Sequence, residues 1–383
     1  MEYRLEELFD LQMGKTPSRN NAEYWGSKDN KWISIADLSK CGKYICETKE
    51  YISNKAVEES GISKIPANTV VMSFKLSIGK AAITSEEMYS NEAIMAFRDK
   101  HTIDLVPEYI YYLLLAHDWN EGTNKAVMGK TLNKATLSKT KITIHSCKEQ
   151  VAIVDCLNAV THVITSHQQQ LQKLDELVKA RFVELFGNPV SNPKGWNVEP
   201  LGKRCGIITG NTPSRSEPEN YGKYIEWIKS DNINTPFTFI TKAQECLSEA
   251  GFGKCRFVEA GSILMTCIAG SINCIGNVAV TDRRVAFNQQ INAIVPEQDE
   301  VLYLYWLMQL SKPMIHRTIN MALKGILSKS QLSEMAFPFP PITLQKQFAA
   351  FVEQTDKLKA AVQKALDEAQ LLFDSLMQKY FVQ

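Results

Sequence analysis

The stretch Gly14-Lys15-Thr16-Pro17-Ser18-Arg19 returns as Gly210-Asn211-Thr212-Pro213-Ser214-Arg215, 196 residues further along a chain of 383. Five of the six positions agree. Gly, Thr, Pro and Ser are ordinary turn formers, so two such turns alone carry little weight. The weight comes from register. "NTVVMSFKLSIGKAAIT" (68–84) faces "GSILMTCIAGSINCIGNVAVT" (261–281) if four extra residues precede Gly276. "NEAIMAF" (91–97) faces "NQQINAIV" (288–295), and "EYIYYLLLA" (108–116) faces "LYLYWLMQL" (302–310). "KTLNKATLSK" (130–139) faces "GILSKSQLSE" (325–334), and "KEQVAIVDCLNAV" (148–160) faces "QKQFAAFVEQTDKL" (345–358). The order is kept throughout and the offset stays between 193 and 197. This is a tandem duplication whose period is too long for a solenoid, so each copy is expected to be a domain.

Within each copy a mixed region precedes a helical one. Short apolar runs predict strands at 68–74, 80–84 and 93–98, and at 262–268, 277–281 and 291–295. Aromatic-rich helices are predicted near 107–120 and 299–315. From 148 to 186 and from 344 to 381 there is no Pro and no internal Gly. Apolar residues there alternate at spacings of three and four: Leu157, Val160, Ile164, Leu171 and Leu174 in one copy, Leu358, Val362, Leu372 and Leu376 in the other. That is a heptad seam. His167 interrupts it as a tolerated polar residue. Gly187 and Pro189 stop the first helix. The reading is α+β: a first domain over 1–147, a spacer helix over 148–187, a linker over 188–196, a second domain over 197–343 and a second spacer helix over 344–383. Antiparallel pairing of the helices keeps both connections short. Parallel pairing would force the chain along a whole helix, roughly 57 Å.

With 44% apolar residues each copy can fill a core. No stretch reaches the length of a membrane-spanning helix, and the acidic, amphipathic start predicts no signal peptide, hence a cytoplasmic location. The nine scattered cysteines are expected to be buried thiols, without disulfides or zinc. There is no G-x-S-x-G, G-x-G-x-x-G or G-x-x-x-x-G-K-[ST], and "FPFPP" (337–341) fits a turn leading into a helix better than a methyltransferase motif. No catalytic residues and no metal ligands are assigned, which leaves a binding role. Two similar heads on a stiff spacer suit a duplex with two half-sites.

Beyond the twin turns, the chain carries Trp32-Ile33 with Asp37, Trp227-Ile228 with Asp231, the strands ending at Ile78-Gly79 and Ile275-Gly276, Asn288-Gln289, and a Pro-Pro-x-x-x-Gln-x-x-Phe segment at the start of the second long helix. The first copy departs from this with Asn91-Glu92 and with "HSCKEQ" in place of the Pro-Pro segment. In this order the motifs resemble, over the whole chain, the specificity subunit of type I restriction–modification systems. The resemblance implies two target-recognition domains, each reading half of a bipartite, asymmetric site in double-stranded DNA. It implies that the helices dock two methyltransferase subunits and, through them, the restriction subunits. It also implies that those partners, not this chain, use S-adenosylmethionine, ATP and Mg.

Forty-three basic against 42 acidic residues is not the balance of a lone tight DNA binder. Basic residues do gather around each turn. Base reading calls for Arg, Lys, Asn, Gln, Ser or Thr on loops. The candidates are Lys15, Thr16, Ser18, Arg19, Lys31, Lys75, Ser77 and Lys130, with Asn211, Thr212, Ser214, Arg215, Lys229, Asn232, Ser271, Asn273 and Lys324 as their counterparts. For Thr16-Pro17-Ser18 a tight turn or helix start is a better explanation than direct base contact. Two further readings stay open: an adaptor whose heads bind protein, and an enzyme with a nuclease-like cluster in one head, for which no spacing is found.

Overall fold

The structure, a computed structural model, describes residues 1–75, 77–119, 124–126, 129–319 and 325–382, with backbone alone at 124–126 and 129–131. Its contacts divide it into two units, Met1–Gln168 with Lys364–Gln383, and Gln169–Gln363.

The first unit is built around a five-stranded sheet in the order Phe9–Met13, Ile94–Asp99, Val70–Ser73, Ala81–Thr84, Tyr44–Ile45, antiparallel except for the last pair. Side chains alternate across it. Val70, Met72, Met95 and Phe97 join the core that includes Tyr109, Ile110, Leu113 and Leu157. Val71, Ala82, Ile94 and Ala96 join a second core with Ile33, Leu38 and Ile45. A sheet covered on both faces explains why its strands read as continuous apolar runs. A smaller sheet places Asn30–Ile33 between Glu50–Ile52 and a parallel partner, Tyr89–Ser90. The head is closed by Glu2–Arg4 pairing antiparallel with Lys141–Thr143, just before the first long helix.

The second unit repeats this plan. Its main sheet runs Cys205–Thr209, Ile291–Pro296, Ile263–Thr266, Val278–Val280. The fifth strand of the first head is reduced here to one bridge, Phe239 to Val280. The small sheet again holds a parallel pair, Ile225–Ile228 with Val285–Phe287. Closure is by Val198–Pro200 with Ala336–Pro338. The helices predicted near 107–120 and 299–315 are Pro107–Ala116 and Val301–Arg317.

The two long helices are Cys147–Phe186 and Ile342–Phe381, and each runs through both units. In the second unit Asp175 pairs with Lys359 at 2.6 Å, while Phe182 packs on Phe348 with centroids 5.4 Å apart. Later residues of one helix therefore meet earlier residues of the other, which is antiparallel packing. In the first unit the end of the second long helix lies on the head, with Phe381 against Tyr109 and Phe373 against Tyr112. The first long helix stops where the sequence indicates: Gly187 takes φ +80° and donates to the Val183 carbonyl at 2.8 Å. The Trp196 indole N–H donates to the last helical carbonyl, Phe186, at 2.9 Å.

Two expectations are corrected. Leu157 is fully buried, and Val160, Ile164, Leu171, Leu174, Val362 and Leu376 are half-buried, but Leu358 is 58% and Leu372 51% exposed. Their neighbours Lys359 and Phe373 turn inward instead. Lys359 is largely buried, with its ammonium 2.6 Å from Asp175 and 6.0 Å from the Trp306 ring centroid. Nor are the cysteines uniformly buried. Cys205 and Cys267 are, with burial pushing both thiols up to about 12, but Cys46 and Cys147 are exposed. His167 is half-buried in its helix.

Candidate nucleic-acid interface

The repeated turn is built by close packing against its own head. Gly14 donates to the Ile94 carbonyl at 3.1 Å and Lys15 to that of Ser90 at 2.8 Å. Gly210 and Asn211 do the same to Ile291 at 3.0 Å and Phe287 at 3.1 Å. A Cβ on Gly14 would lie 2.2 Å from the Asn91 carbonyl oxygen, and on Gly210 2.2 Å from that of Asn288. Only glycine allows this approach. The Trp32 indole N–H donates to the Lys15 carbonyl at 3.1 Å, and that of Trp227 to the Asn211 carbonyl at 3.3 Å. Ser18 offers its carbonyl to the Trp25 indole at 3.1 Å.

The side chains of the turn are largely engaged within the chain. Arg19 forms a two-pronged pair with Glu50 and lies 3.8 Å from the Trp25 ring centroid. Arg215 repeats this with Glu245, over Tyr221 at 4.8 Å. Lys15 donates to the Ser60 carbonyl at 2.5 Å, and the Asn211 amide to the Lys254 carbonyl at 2.8 Å. Thr16 donates to Glu92, and Thr212 to Gln289. The Ser214 and Ser216 hydroxyls meet at 2.7 Å. The hydrogen bond from Arg215, with a second from Lys229, holds the Glu245 carboxyl below its ordinary value. Each arginine expected to read bases thus already gives two of its five N–H donors to a carboxylate, while its side chain stays half or more exposed.

Three further candidates are reassigned. Lys31 bonds Glu86 at 2.6 Å and Glu47 at 3.2 Å. Its structural counterpart is not Lys229 but Glu226, because Trp32 and Trp227 occupy the same place in the small sheet. Glu226 pairs with Arg283 through two contacts of 2.8 Å, chiefly lowering its carboxyl. Glu86 and Arg283 also correspond, so the two heads hold the same ion pair with its signs reversed. Lys229 corresponds to Ser34 and gives its ammonium to Glu245. Asn232, buried, caps the short turn that follows by accepting from the Lys229 N–H at 3.0 Å; Asp37 does this for Ser34 at 2.8 Å. Asn232, not Asp231, is the counterpart of Asp37, and its capping role takes it away from a ligand.

The loops that differ between the heads lie elsewhere. Ser73 exchanges backbone hydrogen bonds with Lys80 and Gly79, and Thr266 with Asn277 and Gly276. Gly79 and Gly276 both have positive φ, +87° and +79°. Between these fixed points run residues 74–78 in one head and 267–275 in the other. Below the loop, Leu132 donates to the Phe74 carbonyl and Leu327 to that of Cys267. The larger loop is anchored by Lys312 to the Asn273 carbonyl at 2.6 Å and by His316 to that of Ile275 at 2.9 Å. Ser271 caps its short helical turn by accepting from the Asn273 N–H, and the exposed side-chain amide of Asn273 has no hydrogen-bond partner among the described residues. Lys75 and Ser77 stand in the smaller loop, Lys75 5.2 Å from the Phe74 ring centroid and with no carboxylate in reach among the described residues. Lys130 pairs with Lys125 in a backbone hairpin, its side chain outside the described atoms, and Lys324 lies outside the described residues.

The partners Glu50, Glu245, Glu92 and Gln289 are not evident from the sequence. The signal that could have found Glu92 and Gln289 is the Asn91-Glu92 departure itself. Among the described residues no group of His, Cys, Asp and Glu could hold a metal ion, and no helix is long and apolar enough to cross a membrane.

Comparison with known proteins agrees with the duplication. Among curated relatives, the specificity subunit of the type I restriction enzyme MjaIX of Methanocaldococcus jannaschii is 28% identical over 236 residues, 55% of this chain and 53% of that one. The HindI specificity subunit of Haemophilus influenzae is 36% identical over 117 residues, 29% of this chain and 24% of that one. The chain thus spans about half the length of the first and a quarter of the second. The solved S subunit of a type I restriction–modification system from M. genitalium superposes with a TM-score of 0.58 at 15% identity, covering 100% of this chain and 96% of that one, a likeness of fold. The type I restriction modification DNA specificity domain matches residues 1–176 and again 193–369. With both halves matched, the chain belongs to the family of type I restriction–modification DNA specificity domains.

Proposed function

We propose that this chain is the specificity subunit of a type I restriction–modification complex, in which each head reads one half of a bipartite, asymmetric duplex site. The observation that carries the reading is the paired construction. Two domains of a DNA specificity family keep one scaffold and differ where their loops 74–78 and 267–275 leave it. The chain itself is non-catalytic. Methyltransferase subunits supply S-adenosylmethionine chemistry at adenine, and restriction subunits use ATP and Mg. The long helices are the docking surface for the methyltransferase subunits. Exposed Leu177, Val183, Leu358 and Leu372 support this, because apolar side chains on a helix surface suit a partner. Loops carry Lys75, Ser77, Ser271 and Asn273 toward bases, while Arg19 and Arg215 shape the heads that present them.

The test is reconstitution with the methyltransferase partner and mapping of methylated adenines. Exchange of residues 197–343 for the matching segment of a relative should change one half of the methylated sequence and leave the other intact. A change in both halves would overturn the two-reader assignment. Absence of any salt-sensitive DNA binding with the partner present would favour the adaptor reading.

A further inference from the structure

The turn in both heads ends its hydrogen bonding on one exposed side chain, and this is where the heads differ in chemistry. In the first head the Thr16 hydroxyl donates to the Glu92 carboxylate; in the second the Thr212 hydroxyl donates to the Gln289 amide oxygen. The frame around them is the same. Asn91 and Asn288 each accept, through Oδ1, from the N–H two residues on, at 3.0 Å. Their own N–H groups donate to Ile33 and Ile228 at 3.1 Å, and their carbonyls accept from Ile94 and Ile291 at 3.2 Å. Glu92 and Gln289 are both exposed. Pinning the turn needs only an acceptor for the threonine, and either side chain supplies one. The charge of Glu92 also acts on the Arg19 guanidinium, but Arg215 keeps its pair with Glu245 without a charge at Gln289, so neither the pin nor the arginine requires it. An exposed carboxylate facing a polyanion is unfavourable unless further donors offset its charge.

We propose that Glu92 and Gln289 are specificity-determining residues, Glu92 accepting from the exocyclic amine of a cytosine and Gln289 making a paired contact to an adenine; this rests on the DNA-reading assignment above. An ionised carboxylate only accepts hydrogen bonds. In the major groove guanine offers N7 and O6 acceptors and thymine an O4 acceptor and a methyl group, so neither can satisfy it. Adenine N6 can donate, but its neighbouring N7 lone pair would face the second carboxylate oxygen, so cytosine N4, with no acceptor beside it on that side, is the better match. The Gln289 oxygen has two lone pairs. One accepts from Thr212. The other can accept from adenine N6 while the amide NH2 donates to N7. Thr16 and Thr212 are positioning residues that fix each side chain's rotation.

The experiment uses the complex with its methyltransferase partner and compares wild type, Glu92→Gln and Gln289→Glu on duplexes carrying all four bases at each half-site position. Head exchange assigns each half-site to its head. Glu92→Gln should shift preference from cytosine to adenine at one position of the first half-site by roughly 10-fold or more, leaving the second half unchanged. Gln289→Glu should do the reverse in the second half. Unchanged preference in both variants overturns the inference while leaving the DNA-reading assignment standing. Absence of any sequence preference in the wild-type complex overturns that assignment instead. Should a variant lose all methylation, unaltered protein decides the matter. Replacing each cytosine of the first half-site in turn by N4-methylcytosine should weaken binding about 10-fold at one position, and no loss at any cytosine sinks the proposal.

Discussion

The two heads hold the same ion pair with opposite signs. Lys31 faces Glu86 in the first, and Glu226 faces Arg283 in the second. By contrast the arginine of the turn, its carboxylate partner and the tryptophan beneath it are kept in both. The lesson is that the frame depends on different things at different depths. At the turn, geometry is fixed by a backbone contact that admits no side chain, so its residues are repeated. At the rim of the small sheet only complementarity matters, and a pair can invert if both members change.

The largest effect that would sharpen this contrast comes from the turn itself. Gly14→Ala and Gly210→Ala should each lower the stability of its unit by about 3 kcal/mol, the upper range for forced overpacking, because the new methyl meets backbone and not a movable side chain. Urea unfolding of each variant measures it. Equal losses support one frame in two copies; a loss in only one head breaks the comparison.

A smaller effect is expected at the inverted pair. Glu226→Lys should cost about 1 kcal/mol by leaving Arg283 opposed to a like charge. Adding Arg283→Glu should restore most of it, giving the second head the polarity of the first. Thermal unfolding of the single and double variants forms the cycle, and no recovery in the double variant would show that sign is fixed by neighbours after all.

The smallest concerns acid. Glu245 and Glu226 are held below the ordinary carboxylate value by hydrogen bonds from Arg215 and Arg283. A depressed carboxyl stabilises the fold above its ordinary value and loses that contribution as the pH falls through the folded one. Stability of the second head should therefore decline as the pH drops below about 4.5. Glu245→Gln should flatten part of that decline. An unaltered acid profile would mean that Glu245 adds nothing measurable.

Much of the fold was legible because the main sheets are buried on both faces. Val70-Val71-Met72 and Ile263-Leu264-Met265 read as apolar runs for that reason. The turn was legible as a repeat, but its meaning was not. Glu50 lies 31 residues from Arg19 and Glu245 lies 30 from Arg215, and no local pattern announces a partner at that range. Candidate readers chosen for their functional groups alone therefore included groups that already hold partners within the chain. The capping Asn232 was displaced by one position because Asp231 looked more like Asp37 in letter than in place. The seam misses Leu358 because Lys359, an ionic residue, takes the inward place and pairs with Asp175.

The strand pairs that close the heads, Glu2–Arg4 with Lys141–Thr143 and Val198–Pro200 with Ala336–Pro338, have a consequence for inheritance. They hold the two ends of each head one strand spacing apart, about 4.8 Å. A crossover that replaces everything between those ends asks the neighbouring helices for no new reach, provided the incoming segment brings its own pair of closing strands. Such a cassette can diverge in length inside, as the loops 74–78 and 267–275 have done, and still be received through an unchanged doorway.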